Sequence, residues 1–303
     1  MVKSKLLSLS DAIDRFVPDG SSLALGTAQE TLIPFAAGHE IIRQRKKELT
    51  LIGPISDILF DQMIGAGCAA KIQAAWVGNV ITGSGYNFRR AVESRQLAVE
   101  DFSNLTIAMA LRAGAMGVPF MPTRTALGSS LYRTNPHLRE TVCPFTGEKL
   151  TAVAAINPDI AIIHVQRADE FGNAHSWGNM GVTREACLAA RHILITAEEI
   201  VAPDIISSDP NRVITPGFKV SAVVHAPWGA HPSPVPGHYN RDHDSFLEYA
   251  RQSKTPTAFD KWLAHWVDTI ASSADYQAIL GAERMAQLQI GYSALTVTAD
   301  FGY

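Results

Sequence analysis

Short apolar runs ending at glycine alternate with stretches whose apolar residues recur at helical spacing, and this alternation constrains the fold more than any other feature of the chain. Ser22 to Gly26 reads as a strand, Thr31 to Gln44 as a helix, Leu49 to Gly53 as a strand and Ile55 to Ile64 as a helix. Lys71 to Val77 then reads as a strand and Tyr86 to Ser94 as a short helix. Strands joined through helices run parallel and are covered on both faces, because each crossover returns to the same end of the sheet. The expectation is an α/β fold with an open, mostly parallel sheet and helices on both faces. Leu97 to Asp101 extends the strand series, and Ser103 can cap a helix from Asn104 to Met116 that Gly117 and Pro119 stop. Ahead of the first strand, Ser8 and Asp11 cap an amphipathic helix closed by Pro18, Asp19 and Gly20.

The second half is expected to repeat this architecture, with buried strands at Lys149 to Ala154, Asp159 to Val165, His192 to Ala197 and Ser221 to His225. Between Ala226 and Pro236 lie four prolines and a glycine. Trp228 and the histidines that interrupt them mark an ordered loop rather than a linker. Helical stretches follow at Asp242 to Gln252, Ala258 to Ile270 and Asp275 to Gln289. A chain of 303 residues, 47% hydrophobic, can bury one large core. It reads as a single domain over 1–303, with 242–303 as a mainly helical C-terminal segment.

The 26 basic and 29 acidic side chains leave a net charge of −3, with no long block of like charge, which argues against nucleic acid or an anionic membrane as partner. No apolar run approaches the ~20 residues that span a bilayer, and Ser8, Ser10 and Asp11 interrupt any signal-like start. Cys68, Cys143 and Cys187 lie far apart among small or apolar neighbours. They read as reduced, packed thiols of a cytoplasmic protein.

Several motif spellings fail on context. Gly65-Ala-Gly67-Cys-Ala-Ala70 matches a dinucleotide fingerprint, but it follows a helix and precedes a strand, the reverse of what a pyrophosphate site needs. His225, His231, His238 and His243 crowd near Asp242 and Asp244 without metal-ligand spacing, and read as solvent-facing or loop-bracing. No GxSxG elbow is present.

Six segments, in order along nearly the whole chain, carry a resemblance: Ala36 to Gln44, Leu49 to Asp57, Asp61 to Lys71, Cys143 to Leu150, Ala168 to Asn173 and Gly229 to Pro232. Together they resemble the alpha chains of family I coenzyme A transferases of the glutaconate and 3-oxoadipate type. The resemblance implies a ping-pong reaction in which a glutamate attacks an acyl-CoA thioester and then carries CoA as an enzyme thioester. In two-chain members that glutamate lies in a Glu-x-Gly setting on the beta chain. Here the one glutamate followed two residues later by glycine is Glu170, inside an Asp-x-x-Gly-Asn turn, so no catalytic residue is expected in this chain. A beta-chain partner, CoA as substrate, and no permanently bound cofactor or metal are expected instead.

Ligands of open parallel sheets bind where strands end and loops diverge. The candidates for substrate binding are therefore Thr27 and Gln29 after the first strand, Asn79 after the third, Ser103 with Asn104, and the small-residue loop Gly128, Ser129 and Ser130. Each can equally be a cap or a turn, Ser103 above all. Arg89, Arg90, Arg112 and Arg124 are available to pair a second carboxylate. Two rivals stand beside the transferase. One is a CoA-ester hydrolase of the same fold, of the steroid-ring type, whose acid has its counterpart at or near Asn104, where an amide cannot act as base. The other is a sensor that binds acyl-CoA without turnover.

Overall fold

The computed structural model describes residues 3–290. Its strands are β1 Ser22–Ala24, β2 Leu49–Ile55, β3 Ala69–Trp76, β4 Gly78–Asn79, β5 Gly83–Ser84, β6 Ala98–Asp101 and β7 Phe120–Thr123. They continue with β8 Leu138–Val142, β9 Lys149–Ala154, β10 Ile160–Ala168, β11 Ala174–His175, β12 His192–Ile200 and β13 Val220–His225. The main sheet has the order β13–β12–β10–β1–β2–β3–β6, every neighbouring pair parallel, with β11 turned back antiparallel on the end of β10.

Successive residues of each strand face opposite sides, so period two sorts the core into two layers. Leu23, Leu51, Ile162 and Leu194 join one cluster with the helices Phe35–Arg43 and Leu59–Gly65 and with Phe246, Tyr249, Phe259 and Trp262. Ala24, Ile52, Ile163 and Ile195 join the other, under the helices Asn104–Met116 and Thr183–Ala189. The sheet is open, parallel and covered on both faces, as the alternation predicts. Each fully buried Leu or Ile contributes about 1.5–3 kcal/mol relative to exposure.

Local chemistry sets the ends. Ser8 Oγ accepts the Asp11 N–H at 3.0 Å to start Leu9–Phe16, and Ser272 accepts the Asp275 N–H at 3.2 Å to start Ser273–Leu280. Several expected elements differ from those observed. The helix expected from Thr31 begins at Phe35, and the one expected from Ile55 begins at Leu59, because loops of irregular backbone occupy the intervening residues. Lys149 to Ala154 is a strand, but it pairs antiparallel with β7 and β8 in a separate three-stranded sheet, so residues 120–154 do not repeat the first half. The expected helix from Asp275 to Gln289 is two, broken at Gly281, and Ala258 to Ile270 is the helix Pro256–Leu263 continued as a π turn. The part of 242–303 beyond residue 290 lies outside the described residues. Cys68 and Cys187 are buried, but Cys143 sits in the turn after β8 and is not packed.

From β1 the chain moves outward through β2, β3 and β6, whereas β10, β12 and β13 extend the sheet the other way. The order therefore reverses between β1 and β10. The carboxyl ends of those two strands mark a topological switch point, the position at which open parallel sheets bind ligands.

Candidate functional site

The loop after β1 runs over this switch point. Gly26 has φ +60, and a Cβ there would lie 2.2 Å from Ser56 Oγ and 2.8 Å from Ser56 Cα, so glycine lets the turn pack on the β2 exit. Ala28 and Leu32 anchor the loop in an apolar cluster with Ala230, Val235, Tyr239 and Leu288. Hydrogen bonds fix it on both flanks. Ser233 Oγ donates to the Glu30 carbonyl at 2.9 Å, and the Leu32 N–H to the Pro234 carbonyl at 3.1 Å. On the other side the Val182 N–H donates to the Thr27 carbonyl at 2.8 Å and Thr27 Oγ1 to Thr183 Oγ1 at 3.0 Å. Gly181 approaches so closely that its Cβ would sit 2.2 Å from the Thr27 carbonyl oxygen.

The part of the loop that faces outward is polar. Gln29, at φ 67, accepts a weak bond from Asn179 Nδ2 at 3.4 Å, and Thr31 Oγ1 donates to the Asn179 carbonyl at 3.2 Å. The N–H groups of Glu30 and Thr31 meet no protein acceptor among the described residues. A left-handed residue followed by unpaired N–H groups is the geometry of a small anion-binding concavity.

Beside this loop an ion pair joins the buried Asp57 to the half-buried Arg241. Asn79 Nδ2 donates to the other Asp57 oxygen at 2.7 Å, while Asn79 Oδ1 accepts from the N–H groups of Ile81 at 2.8 Å and Thr82 at 3.2 Å. Burial pushes the Asp57 carboxyl up to about 6, against the opposing pull of Arg241 and Asn79. A second buried carboxylate, Glu198, accepts from Tyr239 Oη at 2.6 Å and the Trp228 N–H at 2.7 Å, and bonds His164 Nε2 at 2.8 Å. Burial alone would raise its pKa, but those bonds hold it below the usual carboxylate range.

Of the residues singled out from sequence, Thr27 and Gln29 share the loop after β1, and Asn79 reaches it through Asp57 and Arg241. Thr27 and Asn79 are themselves buried in hydrogen bonds. Ser103 forms a capping box with Thr106, which occupies its hydroxyl, and Asn104 is exposed in the first helical turn. Gly128 and Ser129 are exposed next to the short helix Leu131–Thr134, which packs by β6 and β8. Ser129 Oγ donates to the Ala126 carbonyl. The four arginines are engaged elsewhere: Arg90 with the Ser253 and Lys254 carbonyls, Arg112 and Arg124 with Glu185 and Glu148, and Arg89 over the Tyr86 ring. The arginine beside the loop after β1 is Arg241, which no sequence motif marked. Asp169 closes the Asp-x-x-Gly-Asn turn by accepting the Phe171 and Asn173 N–H groups, both at 2.9 Å, and Glu170 sits within that turn. His231 braces the proline loop, with Nδ1 2.6 Å from Tyr276 Oη and Nε2 3.0 Å from Asp242. Among the described residues no three histidine, cysteine or carboxylate side chains gather as a metal site would need. A separate cavity of about 280 Å³ lies between the N-terminal helix and Phe35–Arg43, walled by His39, Trp228, Ile270 and Tyr276. It shares no residue with the Gln29–Asn179 surface.

A parallel α/β sheet with a pinned loop at its switch point defines the class, and comparison with known proteins specifies it. The family described as "Coenzyme A transferase" matches residues 6–226. This chain belongs to the coenzyme A transferase family. Within it the chain is 40% identical to the A-type subunit of the 3-oxoadipate CoA-transferase of Pseudomonas knackmussii, over 91% of this chain and 98% of that one. It is 34% identical to the A-type subunit of the glutaconate CoA-transferase of Acidaminococcus fermentans, over 95% of each. The crystal structure of the glutaconate enzyme superposes with a TM-score of 0.91 at 33% identity, covering 96% of this chain and 98% of that one. A cholesterol ring-cleaving hydrolase IpdA subunit of Rhodococcus jostii is 28% identical over 91% of this chain and 95% of its own. The chain is thus an A-type subunit of a family I CoA-transferase. Among the described residues no helix is long and apolar enough to cross a membrane.

Proposed function

We propose that this chain is the A-type half of a heteromeric enzyme that moves CoA between an acyl-CoA donor and a short carboxylic acid, dicarboxylic or 3-oxo. In this reading the partner subunit supplies a glutamate that attacks the thioester carbonyl, and CoA leaves as thiolate. The resulting acyl-glutamyl anhydride is opened by that thiolate, which releases the first acid and leaves CoA on the glutamate. The second acid then reverses the sequence. The loop after β1 contributes the acid pocket: Gln29 and Asn179 as side-chain donors, and the Glu30 and Thr31 N–H groups toward carboxylate or oxyanion charge. The observation that carries this reading is that loop, pinned on both flanks yet with donors left unpaired at the switch point. Asn104, exposed and an amide, supports transfer over hydrolysis, since it cannot act as a general base.

The test is reconstitution. Purified alone, this chain is expected to show no CoA exchange, and mixing it with a beta chain that carries Glu-x-Gly should restore exchange between short acids. Robust exchange by this polypeptide alone would overturn the proposal, as would a reconstituted complex that only hydrolyses CoA esters.

A further inference from the structure

We propose that Asp57 and Arg241 are positioning residues: one ion pair that sets both the loop after β1 and the β4–β5 hairpin without itself touching substrate. This rests on the reading that the loop after β1 belongs to the acid pocket.

The geometry supplies the connection. Arg241 holds Asp57 through Nη2, and its Nη1 lies 3.4 Å from the Glu30 carbonyl, the same oxygen that Ser233 binds. Through its other oxygen Asp57 accepts from Asn79, whose amide oxygen in turn receives two N–H groups at the hairpin tip. Two loops far apart in sequence are therefore tied to one carboxylate. The arrangement keeps three unfavourable features. Asp57 has φ 50, a left-handed backbone that a side chain resists. Its carboxyl is buried. Arg241 Nε is buried with no hydrogen-bond partner, its guanidinium instead lying 4.0 Å from the Phe246 ring centroid. Packed apolar groups would hold these loops together at less cost than a buried ion pair. What the pair adds is direction, because the rigid guanidinium fork sends Nη2 to Asp57 and Nη1 toward the Glu30 carbonyl at a fixed angle.

The charged group facing Asp57 from the 226–241 segment is Arg241, and Glu30 faces it from the loop after β1, with neutral Asn79 from the hairpin. Since burial raises Asp57 to about 6, the ion pair is intact above that pH and lost as pH falls through it.

The experiment uses the complex assembled with its beta chain and compares wild type with Asp57→Asn, Arg241→Lys and the double variant Asp57→Asn/Arg241→Met. The expected result is a fall in kcat of about 10- to 100-fold with KM for the acyl-CoA donor changed less than about threefold. The double variant should be no worse than the worse single one. Whatever Asp57 contributes to an acid limb near pH 6 should be missing from the Asp57→Asn profile. Hydrogen exchange of peptides covering residues 26–33 and 78–84 is read in parallel, and both should exchange faster in Arg241→Lys while the main sheet is unchanged. Unchanged kcat in the single variants would overturn the proposal. Unaltered exchange in both peptides would do the same even without activity data. If the wild-type complex transfers no CoA, the functional reading fails, and the exchange measurement still decides whether the pair positions these loops.

Discussion

Glu198 shows how one residue joins the proline loop to the sheet. It projects from β12 and meets His164 from β10, while Tyr239 and the Trp228 N–H reach it from the 226–241 segment. The Tyr239 and Trp228 rings stack with centroids 4.3 Å apart. Removing one partner of such a buried set leaves the others unsatisfied, at about 1–3 kcal/mol each. Glu198→Gln turns a carboxylate acceptor into an amide whose NH₂ must face one of these donors, so a loss of about 2–4 kcal/mol at neutral pH is expected by urea unfolding. The sign of its pH dependence follows from the lowered pKa. The contribution is complete above the unfolded glutamate value of about 4.3 and disappears as pH falls through the lower folded value. The wild-type advantage over Glu198→Gln should therefore shrink in acid below about pH 4.3. An advantage equal at neutral and acid pH would show that the charge is not what matters.

At the scale of elements, the loop after β1 is the piece whose shape the site depends on, and Gly26 and Gly128 separate shape from mere flexibility. Both have positive φ, yet a Cβ at Gly26 meets Ser56 while one at Gly128 meets nothing within 4 Å. Gly128→Ala should cost only the left-handed penalty of about 1–2 kcal/mol. Gly26→Ala should cost more and also cut exchange, as thermal unfolding and kinetics on the reconstituted complex would show. Equal effects at both positions would mean that the loop does not need this close approach. Much of the main sheet was legible because short apolar runs rich in β-branched residues, such as Ile160 to Val165, alternate with helical stretches and so read as buried strands. The loop was not legible: Leu32 and Ile33 continue the apolar rhythm of the following helix, but Leu32 instead packs with Val235 and Tyr239. The strand at Lys149 was found, yet alternation cannot say which strand it pairs with. In the site, Gln29 and Asn79 followed from their places after strands, while Arg241 bonds a residue 184 positions away and has no local signal.

For the molecule as a whole, the question is where the covalent chemistry resides. Several carboxylates that could compete for the nucleophile's role are engaged, whereas the side chains of Glu30 and Glu170 have no bonded partner among the described residues. Asp57 is held by Arg241 and Asn79, and Glu198 by His164, Tyr239 and Trp228. Glu100 binds Lys71 at 3.0 Å and Gln73 at 2.6 Å, which keeps its pKa low despite burial. Glu170 lies in a turn whose closing bonds belong to Asp169. A carboxylate that must attack a thioester needs a free oxygen pointed at the substrate, and hydrogen bonds to the charged form lower its nucleophilicity. For the carboxylates so held these restraints disfavour a nucleophilic role, and trapping the enzyme thioester decides for Glu30 and Glu170. The expected outcome is that no residue of this chain becomes linked to CoA when the assembled complex is incubated with acyl-CoA. The thioester can be trapped with borohydride or hydroxylamine and the modified peptide mapped by mass spectrometry, with the adduct expected on the partner chain. Modification at Glu170, Glu100 or any other residue of this chain would place the nucleophile here and reverse the division of labour between the two subunits.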